Sequence, residues 1–153
     1  MLTTTSIDPL QRRFGGDIHL PLGFKEEARE MDWELFTTIY SPTPSVRITQ
    51  LQQWGENFHA ELICSSKTHP TRHLHREVRA HGPISACTQF LGDLGRYVEI
   101  QSFHQREIFS ATVTMLKVRH QYLRKTAWAI GFGANPENSI ATAMSCAAER
   151  IHS

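Results

Sequence analysis

The sequence predicts an α+β fold in which one βββα module occurs twice, related by a pseudo-two-fold axis and preceded by a short helical arm. Two observations predict this fold. Apolar and polar residues alternate in three successive segments of the first half, three strand-like segments recur in the second half, and each set is followed by a turn, a proline and an amphipathic stretch. We therefore expect an arm and linker at residues 1–44 and the duplicated domain at residues 45–153, with repeats at about 45–95 and 96–153.

The arm is expected to form one helix over residues 24–40. Its apolar side chains recur at helical spacing, at Phe24, Ala28, Met31, Leu35 and Ile39. Prolines in the segment 41–44 should end this helix, because proline lacks the backbone N–H group that a helix interior needs. The arm carries enough apolar surface that it should pack on something.

The first repeat should contain a hairpin and a more polar edge strand. Its strands are expected at residues 46–48, 58–64 and 73–80. Residues 54–57 contain Gly55 and separate the first two strands, as a hairpin turn would. The third strand carries more charge than its partners, which is typical of an edge.

The second repeat follows the same order with a more apolar sheet. Its strands are expected at residues 97–103, 110–119 and 125–132. The middle one is apolar on both faces, which indicates cover on both sides. Two helices complete the module, one over residues 84–94 and one whose apolar stripe consists of Ile140, Ala143, Met144, Ala147 and Ile151.

Size and composition exclude several classes of function. The chain has 153 residues, whereas a barrel of eight strand-helix units needs about 250, so we expect no such enzyme in this chain alone. The 16 basic and 15 acidic residues nearly cancel, so neither nucleic acid nor a membrane is an expected partner. No segment resembles a leader or a membrane span, and the protein is expected to be cytoplasmic.

Cofactor and metal chemistry are not expected either. Gly131 and Gly133 precede a helix, but no acidic residue follows at the distance that a dinucleotide site requires. His73 and His75 lie on one strand face, yet no cysteine or carboxylate completes a closed ligand set, so solvated histidines are the better interpretation. The three cysteines, Cys64, Cys87 and Cys146, are expected to be reduced core residues.

Several segments resemble the regulatory domain of 2-isopropylmalate synthase. The segments that resemble its first helix and following strand are Gly82-Pro83-Ile84-Ser85-Ala86-Cys87, Leu91-Gly92-Asp93-Leu94-Gly95 and Val98-Glu99-Ile100. Those that resemble its penultimate strand and last helix are Lys125-Thr126-Ala127-Trp128-Ala129-Ile130-Gly131 and Asn138-Ser139-Ile140-Ala141-Thr142-Ala143. They occur in the family's order within residues 45–153.

The resemblance implies a domain that dimerises and binds leucine or a similar amino acid at the subunit interface, to inhibit a distant active site. Carried over by position, the effector-binding candidates are His81, Gly82, Ile84, Ser85, Ile100, Phe103, Glu107, Asn135 and Ser139. His81 stands where the family tends to have asparagine, and Glu107 where it tends to have a small residue. The resemblance therefore leaves open which effector binds.

The resulting hypothesis is a stand-alone, non-catalytic regulatory and dimerisation domain linked to leucine biosynthesis. We expect a homodimer that binds an amino acid, with a catalytic synthase subunit as a further candidate partner. Two alternatives stay open: a separately encoded or truncated part of a 2-isopropylmalate, citramalate or homocitrate synthase, and a purely structural dimerisation module.

Overall fold

Two three-stranded antiparallel sheets, each followed by a helix, form the core of the protein in the computed structural model, which describes residues 7–153. The elements are α1 (Pro9–Phe14), α2 (Leu22–Glu27), α3 (Trp33–Tyr40), β1 (Val46–Trp54), β2 (Asn57–Cys64), β3 (Arg72–Arg79), α4 (Pro83–Asp93), β4 (Glu99–Ile108), β5 (Ala111–Arg119), β6 (Thr126–Gly133) and α5 (Pro136–His152). The expected α+β fold with a duplicated βββα order is confirmed.

The first sheet has the order β1-β2-β3 and is buried on one face only. Trp54 pairs with Asn57 across the expected turn, where Gly55 has a φ of 67°, a left-handed conformation that favours glycine. Strand β1 is longer than expected, because a bulge between Thr49 and Gln52 shifts its period. The inner face of this sheet packs on both helices, and its outer face is polar and exposed.

The second sheet has the order β4-β5-β6, and its central strand is buried on both faces as expected. Leu116 and Val118 face the core that contains the two repeat helices. Val113 and Met115 face a separate cluster formed with the arm. Strand β4 continues to Ile108, five residues beyond the expected end, because its polar residues alternate across an exposed edge instead of forming a loop.

Helix α5 lies between the two sheets and holds them together. It packs so closely on β6 that a Cβ atom added at Gly131 would lie 2.2 Å from the backbone nitrogen of Ala143. On its other side, the Oγ atom of Ser145 accepts a hydrogen bond of 3.0 Å from the N–H group of Ile48 in β1. The unpaired edge of β1 is thus satisfied by α5.

The arm differs from the expectation of one helix over residues 24–40, which is wrong. Two short helices, α2 and α3, occupy this range, and Glu30 between them has a φ of 66°. Asp32 begins α3 by accepting a hydrogen bond of 2.8 Å from the N–H group of Leu35. This cap competes with helix continuation, and the apolar spacing carries no signal of it. Helix α1 was not expected.

The arm packs on the outer face of the second sheet. Phe24 stacks on Trp128 of β6 with ring centroids 5.0 Å apart. Trp33 and Phe14 both lie against Phe132, at centroid distances of 6.0 and 5.9 Å. The aromatic side of the arm is therefore covered by its own chain, whereas Leu22 and Leu35 stay exposed. None of the helices within residues 7–153 has the length and apolar character needed to cross a membrane.

Candidate functional site

Helix α4 begins without a side-chain cap. Gly82 is its N-cap residue in extended conformation, and Pro83 occupies the first turn. The carbonyl of Gly82 accepts from the N–H group of Ala86 at 3.0 Å. The N–H groups of Ile84 and Ser85 have no hydrogen-bond partner among the described residues. This first turn therefore presents open donors and the positive end of a helix dipole.

A cavity of about 470 Å³ lies beside this helix start. Two of the sequence-predicted residues, His81 and Ser85, line it. The other lining residues are Gln53, Gly55, Glu56, Arg79, Ala80 and Gln89. Glu56 and Arg79 form an ion pair there, and both side chains are largely exposed. The cavity thus offers a carboxylate and a guanidinium group within one polar enclosure, a combination that suits a zwitterion.

Sequence reasoning did not find Glu56, Arg79, Gln53 or Gln89. Glu56 lies in the β1–β2 turn, and Arg79 is the last residue of β3. The pairing of Asn57 with Arg79 brings these two places together. The N–H group of Ala80 also donates to the carbonyl of Glu56 at 3.2 Å. Only the strand register reveals this contact, so the missing signal was the pairing of β2 with β3.

The candidates on β4 lie elsewhere. Ile100 packs partly buried against the main core, as does Ile84 of α4. Phe103 is 39% exposed, and Glu107 is exposed. None of the three β4 residues lines the cavity that His81 and Ser85 share. Within one chain, the β4 candidates and the α4 candidates therefore form two separate groups.

The start of α5 differs from that of α4. Asn135 caps it, since its Oδ1 atom accepts from the N–H group of Asn138 at 2.9 Å. Ser139 is fully buried, and its Oγ atom donates to the carbonyl of Gly131 at 3.0 Å and lies 2.7 Å from the hydroxyl of Thr114. Both polar side chains are therefore engaged inside the protein, and we leave them out of the site proposed below.

The histidines of the first sheet lie against carboxylates. His73 and His75 lie 3.7 and 3.8 Å from the carboxylate oxygens of Glu61, and His59 lies 3.8 Å from Glu77. Within residues 7–153, no three side chains of the metal-binding types are close enough to hold one ion together.

Two of the three cysteines match the expectation of core residues, and one does not. Burial raises the pKa of Cys87 to about 12. Burial also raises the pKa of Cys146, against a smaller lowering by its contact with Ser41. Neither thiol is therefore suited to nucleophilic chemistry at neutral pH. Cys64 is only half-buried, because it ends β2 at the rim of a cavity. None of the three forms a disulfide.

Comparison with known proteins adds no identification. No protein-family model matches the chain, and no curated protein is significantly similar to it. The resemblance to the regulatory domain of 2-isopropylmalate synthase thus stays a prediction from the residues quoted above.

Proposed function

We propose that the protein is a cytoplasmic, non-catalytic regulatory and dimerisation domain related to that of 2-isopropylmalate synthase, and that it binds a small amino acid such as leucine. The observation that carries the proposal is the uncapped start of α4, which opens into a polar cavity containing Glu56 and Arg79. This arrangement lies where the resemblance predicts an effector.

The chemistry of an amino acid fits this place. Its carboxylate accepts hydrogen bonds from the N–H groups of Ile84 and Ser85, where the helix dipole favours negative charge. Its ammonium group pairs with Glu56, which exchanges part of its contact with Arg79 for the ligand. The hydrogen bonds to the ligand carboxylate involve a charged partner and contribute about 1.5 to 3 kcal/mol each. The pairing with Glu56 is screened by solvent, because the Glu56 side chain is 71% exposed, and it contributes about 1 kcal/mol or less.

A homodimer gives a role to the β4 candidates. Phe103 is a large apolar residue exposed on an edge strand, and Glu107 lies further along the same strand face. In the proposed dimer, β4 of one subunit lies over the α4 start of the other and closes the pocket around the aliphatic side chain. The cavity within one chain has no large apolar wall, so it supplies the polar half of the site.

Calorimetry on the folded protein tests the binding claim. Leucine, isoleucine and valine should release or absorb heat on binding, and the corresponding 2-oxo acids should bind more weakly because they lack the ammonium group. Replacing Glu56 by Gln should weaken amino-acid binding by up to about fivefold. Glu99→Gln is the matched control, since Glu99 is also an exposed partner of an arginine, Arg119, outside the cavity. If none of the amino acids binds to the folded protein, the proposal is wrong.

Light scattering tests the dimer claim separately. The proposal expects a dimer, and Phe103→Asp should shift it towards monomer and weaken amino-acid binding together. A monomer that binds leucine normally would remove the role given to β4. A dimer that binds none of the amino acids would instead favour a purely structural dimerisation module.

A regulatory site of this kind implies something to regulate. The second candidate function is therefore a separately encoded part of a 2-isopropylmalate, citramalate or homocitrate synthase. Mixing the protein with a synthase that consists of the catalytic barrel alone should make turnover sensitive to the bound amino acid. If turnover is the same with and without the amino acid, the synthase is not the partner of this protein, and only the binding claim remains.

A further inference from the structure

A second and larger cavity lies at the opposite end of α4. Its volume is about 650 Å³, within the range of sites for small molecules. It is enclosed by the start of β1, the end of β2, the β2–β3 loop and the connection from α4 to β4. The lining residues are Ser45, Val46, Cys64, Ser65, Ser66, His69, Pro70, Arg72, Leu94 and Arg96. None of them lines the cavity at the α4 start.

Arg72 occupies an unusual position for a charged residue. It pairs with Cys64 in the register of β2 and β3, on the same face as Leu74, which packs against the main core. The side chain at this position is therefore directed to the inner side of the sheet. The residue is nevertheless exposed, and its side chain forms no ion pair or hydrogen bond within residues 7–153. Its guanidinium group is therefore free to pair with an anion at the mouth of the cavity.

The rest of the charge in this cavity is also positive. Arg96 is half-buried and pairs with Glu149 at 3.4 Å. Glu149 additionally accepts the N–H group of Ser45 at 2.7 Å, so its charge is neutralised from two sides and it does not line the cavity. None of the lining residues is acidic. The cavity thus favours an anion and offers an ammonium group no partner.

The floor of the cavity is apolar. Val46 is 8% exposed, and Leu94 packs partly buried against the main core. Cys64 and Pro70 continue this surface towards the rim. At the end of α4, the carbonyls of Leu91 and Gly92 accept hydrogen bonds from the N–H groups of Leu94, Gly95 and Arg96, which limits their repulsion of an anion.

We propose that this cavity is a binding site for a small organic carboxylate with a short branched or linear apolar body, whose carboxylate pairs with Arg72 and whose body lies on Val46 and Leu94. The site is independent of the amino-acid site at the α4 start. The two sites have opposite preferences. The site at the α4 start prefers an amino acid, whereas this cavity prefers a carboxylate without an ammonium group, because no acidic residue lines it.

Calorimetric titration with 3-methylbutanoate on the full chain tests the proposal. Binding should weaken in the order 3-methylbutanoate, butanoate, acetate as the apolar body shrinks, and leucine should not compete for this site. Arg72→Gln should reduce the affinity for 3-methylbutanoate roughly ten- to hundredfold, since it removes a charged hydrogen-bond donor. Arg47→Gln is the matched control: Arg47 is exposed on the outer face of the same sheet and should leave the affinity unchanged.

Three outcomes overturn the proposal: no binding of 3-methylbutanoate, equal losses with Arg72→Gln and Arg47→Gln, or inorganic phosphate binding as tightly as the carboxylate. Glu56→Gln separates this site from the proposed function. It should weaken leucine binding and leave 3-methylbutanoate binding intact, so either claim can fail while the other holds.

Discussion

The two sheets share one topology but differ in how they are covered. The second sheet lies between α5 on one face and the helical arm on the other, and its central strand is buried from Thr112 to Leu116 and at Val118. The first sheet is covered on one face, and its strand β3 has no fully buried residue. One sheet is thus the packed centre of the protein, whereas the other keeps an open polar face.

The two helix starts repeat this contrast. Asn135 closes the start of α5 with its own side chain, and Ser139 is buried one turn later. Gly82 leaves the start of α4 open, and the two cavities described above lie at the two ends of that helix. The first repeat therefore has an uncapped helix start with a cavity beside it, whereas the second repeat caps the corresponding start with its own side chain.

The largest effect should come from the arm. Phe24→Ala removes a ring that is 0% exposed and packs on Phe36, Tyr40 and Trp128. It should lower the free energy of unfolding by about 3 to 5 kcal/mol, measured by urea denaturation. The control is Phe109→Ala, since Phe109 is 89% exposed and its loss should change stability by less than about 0.5 kcal/mol. Equal effects would mean that the arm does not cover the second sheet.

The contact between β6 and α5 should show the next largest effect. Gly131→Ala places a Cβ atom 2.2 Å from the backbone of Ala143, which cannot rotate away as a side chain can. The free energy of unfolding should fall by about 3 kcal/mol. At Gly82 an added Cβ has no atom within 4 Å, so Gly82→Ala should cost about 1 kcal/mol or less. A mild Gly131→Ala would contradict the tight packing of the second repeat.

Substitutions at the two helix N-caps should change the free energy of unfolding less, and in opposite directions in the two repeats. Asn135→Ala should cost about 1 kcal/mol, because the N–H group of Asn138 loses its acceptor. Gly82→Asn should raise stability by a few tenths of a kcal/mol by capping α4. The same change should weaken amino-acid binding in calorimetry, because the new side chain occupies the donors that the carboxylate needs. Unaltered leucine binding in this variant would place the ligand elsewhere.

The smallest effect is expected on the open face of the first sheet. Glu61→Gln removes the contacts with His73 and His75, whose side chains are 56% and 78% exposed. Ion pairs of such exposure contribute little, so the free energy of unfolding at neutral pH should change by less than about 0.5 kcal/mol. A loss well above 1 kcal/mol in chemical denaturation would indicate that this face is covered in solution.

Periodicity predicted most of the fold, because alternation and helical spacing are local properties of the chain. It placed the β1–β2 turn, all six strands and both repeat helices near their observed positions. It failed where one residue changes the backbone locally, as at Glu30 in the arm and at the bulge after Thr49. It also ended β4 too early, at Phe103, since the four residues that follow are all polar and show no apolar alternation.

The candidate site was predicted only in part. His81 and Ser85 were carried over by position from the resemblance, and both line the cavity at the start of α4. Glu56 and Arg72 were missed because strand register decides what each of them lies next to. The register places the β1–β2 turn, which contains Glu56, beside Arg79, and it places Arg72 opposite Cys64. Exposed charges on strands look alike in a sequence, and only the pairing decides which of them face a cavity.

The link between α5 and β1 also constrains when the first repeat is completed during synthesis. The N–H groups of Ser45 and Ile48 are bonded by Glu149 and Ser145, about a hundred residues later in the chain. The first sheet therefore leaves the ribosome with an unfinished edge and a half-exposed inner face, and it stays so until α5 has emerged. Such long-range closure slows folding and leaves a strand edge open to pairing with other nascent chains until α5 has formed.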